Sequence, residues 1–457
     1  MTQTTSEREL SRRRVLGALP LAVLTGSAYS CFTRGPFPEA VDFVESEPAK
    51  LDIDIFLDTT KSMRGFVGAA SASAFDTVIE DLGRLPFWFP KGTARFHRFG
   101  TKDSDGPQPF GVEMLPDLRR PSMYSGLVTR IDRVISAADP NRLVVFVTDL
   151  FQQDNDVHTV ALQIRDRYIA KGLSVGVMAV RSPFQGDIFD VGIGRKAVRN
   201  WGGSRPFFVL GLGRQRDLET LFARLPERLP AVPGTAHRLI LGQRLAWPPT
   251  AYKDLTLASK LGVSKVRSLV RETSPNPLRL QLRVHSGRRS PKDGARKQNE
   301  PNLLSVAQAL HPASFVPPFT SSELRAEVSV ARYRHAQAKE KPPCPDGPYC
   351  QEPDLRQAMT VEGIQVTSGE LRFRVNLEDA ALQSGELYRF QILLVPAPGS
   401  YLLPPWVGQW NQDAVAAEHA FDGSKTLNLD LFLRNLWDSA LLQRPRVGEY
   451  YCYLKKT

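Results

Sequence analysis

Leu51-Asp52-Ile53-Asp54-Ile55-Phe56-Leu57-Asp58-Thr59-Thr60-Lys61-Ser62 is the stretch on which the fold turns. An apolar run reaches Leu57 and stops at an acid, which reads as a β-strand ending at Asp58. Downstream, residues 75–85 carry helical spacing and residues 94–99 read as a short strand. Residues 126–137 predict a helix with Leu127, Ile131 and Ile135 on one face. Residues 143–147 are an unbroken β-branched and aromatic run, the mark of a strand buried on both faces. A helix over 157–170, strands over 173–180 and 207–212, and a helix over 217–225 continue the alternation. Strand and helix in turn predict an α/β fold, a doubly wound and mostly parallel sheet spanning residues 50–226. Ligands of such sheets bind outside the carboxyl ends of the strands, and Asp58 and Asp149 each stand at one.

Asp58, Thr60 and Ser62 place a carboxylate and two hydroxyls at alternate positions of one loop. Oxygen donors without thiol or imidazole suit a small hard cation, Mg²⁺ first, with Mn²⁺ or Ca²⁺ as alternatives. Ser125 lies between the two acids in sequence and can add a hydroxyl, with Ser122 competing for that place. The plain alternative is that Asp58 caps the turn that follows it.

Asp58-Thr59-Thr60-Lys61-Ser62-Met63, Ser125 and Val147-Thr148-Asp149 together resemble the von Willebrand factor type A domain with its metal-ion-dependent adhesion site. The family pattern is Asp-x-Ser/Thr-x-Ser after the first strand, a Thr in a middle loop and an Asp after the fourth. Ser125 departs from it, being Ser where the family usually has Thr. The resemblance implies a cation held by Asp58, Thr60, Ser62, Ser125 and Asp149, with one position left for a carboxylate from a protein partner. It covers roughly residues 50–225, under half of the 457-residue chain.

The first thirty residues read as an address. Arg12-Arg13-Arg14 precede a short apolar run from Val15 to Leu24 and then small residues up to Ser30, a signal-peptide layout. The paired arginines resemble a twin-arginine export signal, and a general secretory signal with a basic start is the rival. Cys31 stands where a lipoprotein cysteine stands, whereas Ala28-Tyr29-Ser30 also reads as an ordinary small-x-small cleavage site. Lipid anchoring at Cys31 and simple secretion therefore both remain open. Residues 31–49 would be a tether. No later stretch offers the about 20 apolar residues of a spanning helix. Periplasm or cell envelope is the expected location.

Residues 227–236, Pro/Gly-bearing, read as a linker. Beyond them the period changes to two. Leu278, Leu280, Leu282 and Val284 alternate with polar residues, as do Leu371, Phe373, Val375 and Leu377, and Tyr388, Phe390, Ile392 and Leu394. This predicts a mainly antiparallel, sandwich-like β domain over 237–457, with one helix over 426–441 packed on it and a last strand over 450–454. Cys344 and Cys350 bracket a Pro/Gly-rich loop and suit a disulfide better than a metal knuckle, which lacks further ligands. Cys452 reads as a buried thiol. A basic insertion at about 285–312 reads as a solvated loop or an anion-binding patch. It has no interleaved aromatics, which argues against nucleic acid. Trp406 and Trp410 either pack beneath a loop or stack on a sugar.

The formal charge of +11 and 23% charged residues belong to an ordinary globular chain. No HExxH, GxSxG or phosphate-loop motif occurs, and the seven histidines are scattered. The expected function is therefore a non-enzymatic, exported adhesion or scaffold module that binds a protein partner through a divalent cation. A structural envelope protein with a vestigial site is the alternative, and a metal-assisted hydrolase a more distant one.

Overall fold

The structure is a computed structural model. It describes residues 51–457 except 69–72, 90–91, 101–105, 128, 151–156, 190, 192–195, 230–234, 243–251, 258–259, 262–263, 273–277, 286–302, 310–318, 335–343, 345–348, 368–369, 401–402, 414–416 and 418–419. The signal and tether segments, Cys31 and residues 286–302 and 310–312 of the basic insertion lie outside the described residues.

The first half is a seven-stranded sheet with helices on both faces. Its strands are β1 (Asp52–Asp58), β2 (Thr93–Phe99), β3 (Gln108–Phe110), β4 (Leu143–Thr148), β5 (Ser174–Ile188), β6 (Val198–Gly213) and β7 (Ala236–Leu241), in spatial order β3-β2-β1-β4-β6-β5-β7. The alternation within β1 explains its central place. Ile53, Ile55 and Leu57 enter the core on one face, with α1 (Ala74–Leu82), α2 (Leu85–Trp88) and α5 (Gln215–Arg224). Phe56 enters the other, with α3 (Ile131–Ala137) and α4 (Val157–Arg167). Asp54 is the buried exception, held by Arg95 at 2.8 Å and Arg142 at 2.9 Å. β4 is buried at every residue, as its composition predicts.

The sheet is less parallel than the alternation suggests. β1 runs parallel to both neighbours, β2 and β4. β5 points the same way, but β3, β6 and β7 run against these four. The cause is local. Parallel neighbours need a crossover of a dozen or more residues, and β5 and β6 are separated only by residues 189–197. They form a long antiparallel hairpin instead. β7 follows the 227–236 segment yet pairs with β5, so it completes this sheet.

Two further differences bear on the site. The helix expected from Gly126 starts at Ile131, and Leu127 is exposed rather than on the buried face. Gly126 is held extended by a backbone exchange with Thr59 and Lys61, which denies it a helical turn. The C-terminal helix begins at Leu429, after a two-residue strand.

The second half contains a seven-stranded and a four-stranded sheet. Their strands are β8 (Tyr252–Leu257), β9 (Lys260–Leu261), β10 (Ser264–Glu272), β11 (Leu278–His285), β12 (Leu304–Ala309), β13 (Leu324–Tyr333), β14 (Tyr349–Gln351), β15 (Met359–Thr367), β16 (Glu370–Leu377), β17 (Leu387–Pro396) and β20 (Gly448–Lys456), with β18 (Asn411–Gln412) and β19 (Thr426–Leu427) as a separate pair. The large sheet runs β14-β13-β17-β20-β11-β10-β9, and the small one β15-β16-β12-β8. Pairing in these two sheets is antiparallel except between β11 and β20. Phe373 of β16 meets Tyr450 of β20 with ring centroids 4.9 Å apart, so the two sheets face each other. β20, expected as a last strand, lies mid-sheet. Tyr450, Cys452, Tyr453 and Leu454 are all buried, which requires cover on both faces and a neighbour on each side.

The C-terminal helix α7 (Leu429–Leu442) does more than cover the β half. Leu429, Phe432, Leu433, Leu436, Trp437 and Ala440 form a broad buried stripe. Leu429 and Phe432 face Ile131, Val157 and Val160 of the first half across a small apolar cavity. Trp437 reaches the second half, where its indole N–H donates to the Ser400 carbonyl at 3.2 Å. Trp406 and Trp410, on α6 (Pro405–Trp410), are buried. His237 of β7 stacks on Trp406 at 5.2 Å, and Arg181 of β5 sits over Trp410 at 4.7 Å. The indoles are packing residues at the junction of the halves. Among the described residues no helix is long and apolar enough to cross a membrane.

Cys344 and Cys350 form a disulfide with Cα atoms 5.2 Å apart, and it tethers β14 at the edge of the large sheet. Replacing both by Ser should lower stability by about 2–3 kcal/mol, the chain-entropy value for so short a loop. Urea unfolding with and without reductant checks it: reductant should shift the wild type and leave the double variant unchanged. Cys452 is a free, buried thiol whose pKa burial pushes up to about 12, leaving it unreactive.

Candidate functional site

The carboxyl ends of β1 and β4 lie side by side, because Leu57 pairs with Val147. Each strand delivers an acid there. Asp58 is 2% exposed and Asp149 1%, so two carboxylates are buried at one place.

The loop after β1 is fixed from both sides. Thr59 donates its N–H and its hydroxyl to the Phe99 carbonyl, at 3.0 and 2.9 Å, which ties it to the end of β2. On the other side Lys61 N–H donates to Gly126 O at 2.9 Å and Gly126 N–H to Thr59 O at 3.3 Å. The loop then enters a 3-10 turn, Lys61–Phe66, whose Phe66 packs among Phe75, Phe184 and Phe207. These bonds hold Thr60 and Ser62 in place.

The hydroxyls converge on Asp58. Thr60 gives Asp58 Oδ1 both its N–H at 2.9 Å and its hydroxyl at 2.6 Å. Thr148 donates its hydroxyl to Asp58 Oδ2 at 2.8 Å. Ser62 Oγ lies 2.9 Å from Thr60 Oγ1. Thr60's only hydroxyl proton is committed to Asp58, so Ser62 is the donor in that pair. The hydroxyl protons thus run towards the carboxylate and leave oxygen lone pairs for an electron-pair acceptor.

The electrostatics weigh on the Asp58 carboxylate. Burial pushes the Asp58 pKa up to about 7, with the negative charge of Asp149 adding to it. Hydrogen bonds from Thr60 and Thr148 pull the other way, and no basic side chain is among the influences. Asp58 and Asp149 are both buried and repel each other, and a divalent cation would supply positive charge between them. The donors fit such an ion: two carboxylates and at least two hydroxyls, all hard oxygen. No cluster of three or more His, Cys, Asp or Glu side chains occurs among the described residues.

Four of the five expected residues share the loop ends of β1 and β4: Asp58, Thr60, Ser62 and Asp149. Ser125 neighbours Gly126, which bridges to Thr60, and is partly buried. Burial singles out a different hydroxyl of that segment, Thr129, at 1% exposure two residues ahead of α3. Thr148, quoted in Val147-Thr148-Asp149 but not among the expected ligands, is a further residue of the candidate site. Its signal in the sequence is that it is the one hydroxyl in an otherwise apolar strand, next to the acid. Leu150, immediately after Asp149, has φ of 63°, a left-handed backbone that costs a non-glycine residue on the order of 1–3 kcal/mol. Its N–H donates to Thr148 Oγ1 at 3.1 Å, so the turn that positions Asp149 is held in this conformation. Asp154 and Asp156, acids of the polar loop after Asp149 that read as solvated charges or as a rim of the site, lie outside the described residues. Comparison of the chain with protein-family models, with curated proteins and with solved structures found no match.

Proposed function

We propose that the chain is an exported, non-enzymatic binding module of von Willebrand factor type A kind, which captures an acidic side chain of a protein partner through a divalent cation. One observation carries the reading: two buried carboxylates and the hydroxyls of Thr60, Ser62 and Thr148 meet at the ends of two adjacent parallel strands. Asp58, Thr60, Ser62 and Asp149, with Ser125 or Thr129, would hold Mg²⁺ or Mn²⁺. When bound, the ion would supply positive charge and an open coordination position for a carboxylate. Thr148 holds Asp58 in orientation from the neighbouring strand.

Thermal unfolding with EDTA and then with millimolar Mg²⁺ or Mn²⁺ tests this, since a ligand of the folded state raises Tm by mass action. Wild type should rise and Ser62→Ala should respond at least tenfold more weakly. Thr129→Ala and Ser125→Ala decide which hydroxyl completes the set: the true ligand should weaken the response, the other should not. An identical Tm in EDTA and in Mn²⁺ at every concentration would move the reading to a structural envelope protein.

A further inference from the structure

The β5–β6 hairpin gives the candidate site a second wall. Thr148, at the end of β4, pairs with Phe208, which pairs with Ala179. β5 nevertheless continues to Ile188 and β6 starts at Val198, so the hairpin rises past the carboxyl ends where Asp58 and Asp149 sit. It leans directly on the site's own turn. A Cβ on Gly186 would lie 3.0 Å from the Gly65 Cα, and a Cβ on Gly65 would lie 2.3 Å from the Phe184 ring. Two glycines therefore let the backbones of the Lys61–Phe66 turn and the hairpin touch.

Between them runs a groove of about 420 Å³, lined by Lys61, Arg64, Pro121, Gln185, Asp187 and Asn200 among others. This lies in the size range of ligand sites, about 300–1,000 Å³. Its charge is one-sided. Asp187 is already taken by the Arg199 guanidinium and by the Asn200 N–H at 3.0 Å, and these hold its carboxyl below the usual range. Lys61 and Arg64 are exposed and form no salt bridge among the described residues, although the Arg64 charge also acts on Asp187. Among the lining residues Lys61 and Arg64 stand against Asp187, a surplus of one positive charge, and Arg199, outside the lining, already pairs with Asp187. Lys61 lies between Thr60 and Ser62 in sequence, so the groove opens beside the candidate cation site.

We propose that this groove binds an extended, acidic segment of the protein partner, with Lys61 and Arg64 reading a carboxylate other than the one directed at the cation. The inference rests on the protein-partner reading above, but the groove's charge exists without the ion. An exposed pair of cations attracts an acidic chain and speeds its docking, with a strong salt dependence. The rising hairpin makes the contact linear rather than a point.

Fluorescence anisotropy tests it on the full chain, with a labelled dodecapeptide of Asp, Glu and Gly and its Asn, Gln, Gly counterpart. In EDTA the acidic peptide should bind at least tenfold tighter than the amide peptide. Lys61→Glu/Arg64→Glu should abolish that preference, while Arg165→Glu/Lys171→Glu, at the opposite end of the sheet, should preserve it. Equal binding of the two peptides, or equal losses in both charge-reversed pairs, overturns the groove. Added Mg²⁺ should strengthen wild type further and leave Asp58→Asn at its EDTA affinity. If Mg²⁺ adds nothing while reversal at Lys61 and Arg64 still removes binding, the groove stands and the cation reading falls. If Mg²⁺-dependent binding survives that reversal undiminished, the groove falls and the cation reading stands. Competition by inorganic phosphate as effective as that by the peptide would mark a simple anion site and also overturn it.

Discussion

Asp58→Asn should make the cation-free chain more stable at about pH 8 and at the same time abolish its response to Mg²⁺. The substitution keeps the side-chain shape and the oxygen that accepts both bonds from Thr60, and it removes the charge. That charge is costly in the fold, since burial and Asp149 raise the carboxyl from 3.8 to about 7. A folded-state pKa above the unfolded value means the folded protein holds a proton that the unfolded chain releases. Stability from this group is therefore fully present below about pH 4 and is lost as pH rises through about 7. At about 1.4 kcal/mol per tenfold change, ionisation costs the fold up to roughly 4 kcal/mol at higher pH. The amide should recover much of this. With saturating Mg²⁺ the wild type gains instead, by about 2.7 kcal/mol at a hundredfold excess over Kd, and the Asp58→Asn variant cannot share in that gain. Urea unfolding at about pH 5 and pH 8, in EDTA and in Mg²⁺, gives four midpoints per protein. A variant less stable than wild type at pH 8 in EDTA would show that Asp58 is a cap for its turn, with no unmet need for a cation.

How much of this could be read from the chain depended on how local the cause was. β4 was legible as a run of apolar residues, and β1 as apolar residues at alternate positions broken by Asp52 and Asp54, while the acid at the end of each marked the candidate site. Asp58, Thr60 and Ser62 were legible as a candidate group because three oxygen side chains fall within five residues. The middle hydroxyl was not. Ser125 and Thr129 lie on either side of Gly126, and only the long-range exchange between Gly126 and the Thr59–Lys61 backbone shows that the chain is extended there and that the helix waits until Ile131. The reversal of β6 escaped for a related reason. A continuous buried run such as Phe207–Leu212 looks the same in either direction, and the deciding fact is the short connection from β5. The groove was invisible too, since it depends on two glycines far apart in sequence, Gly65 and Gly186, packing so closely that a Cβ on Gly186 would come within 3.0 Å of the Gly65 Cα.

The largest loss of stability should come from Trp437→Ala, far from the candidate site, and the site should lose stability with it. Trp437 is fully buried, and its removal should cost about 3–5 kcal/mol, as for other large-to-small core changes. The buried Ser400 carbonyl also loses its donor. The consequence extends to both halves because of where α7 lies. The same helix that anchors Trp437 against Phe319 turns Leu429 and Phe432 towards Ile131, Val157 and Val160, and Leu150 lines that contact immediately after Asp149. Other ties cross the same boundary. Arg205, 1% exposed on β6, donates to the carbonyls of Gly423 and Lys425 at 3.0 and 3.1 Å, and His237 stacks on Trp406. One apolar cluster runs from β4 through α7 into the β sandwich. Loss of Trp437 should therefore lower the urea midpoint of the whole chain, with far-UV dichroism and Mg²⁺-dependent protection moving together. Two separated transitions in the variant, with the Mg²⁺-protected one at its wild-type midpoint, would show instead that the halves are stable independently and that the acids at the ends of β1 and β4 owe nothing to the C-terminal helix.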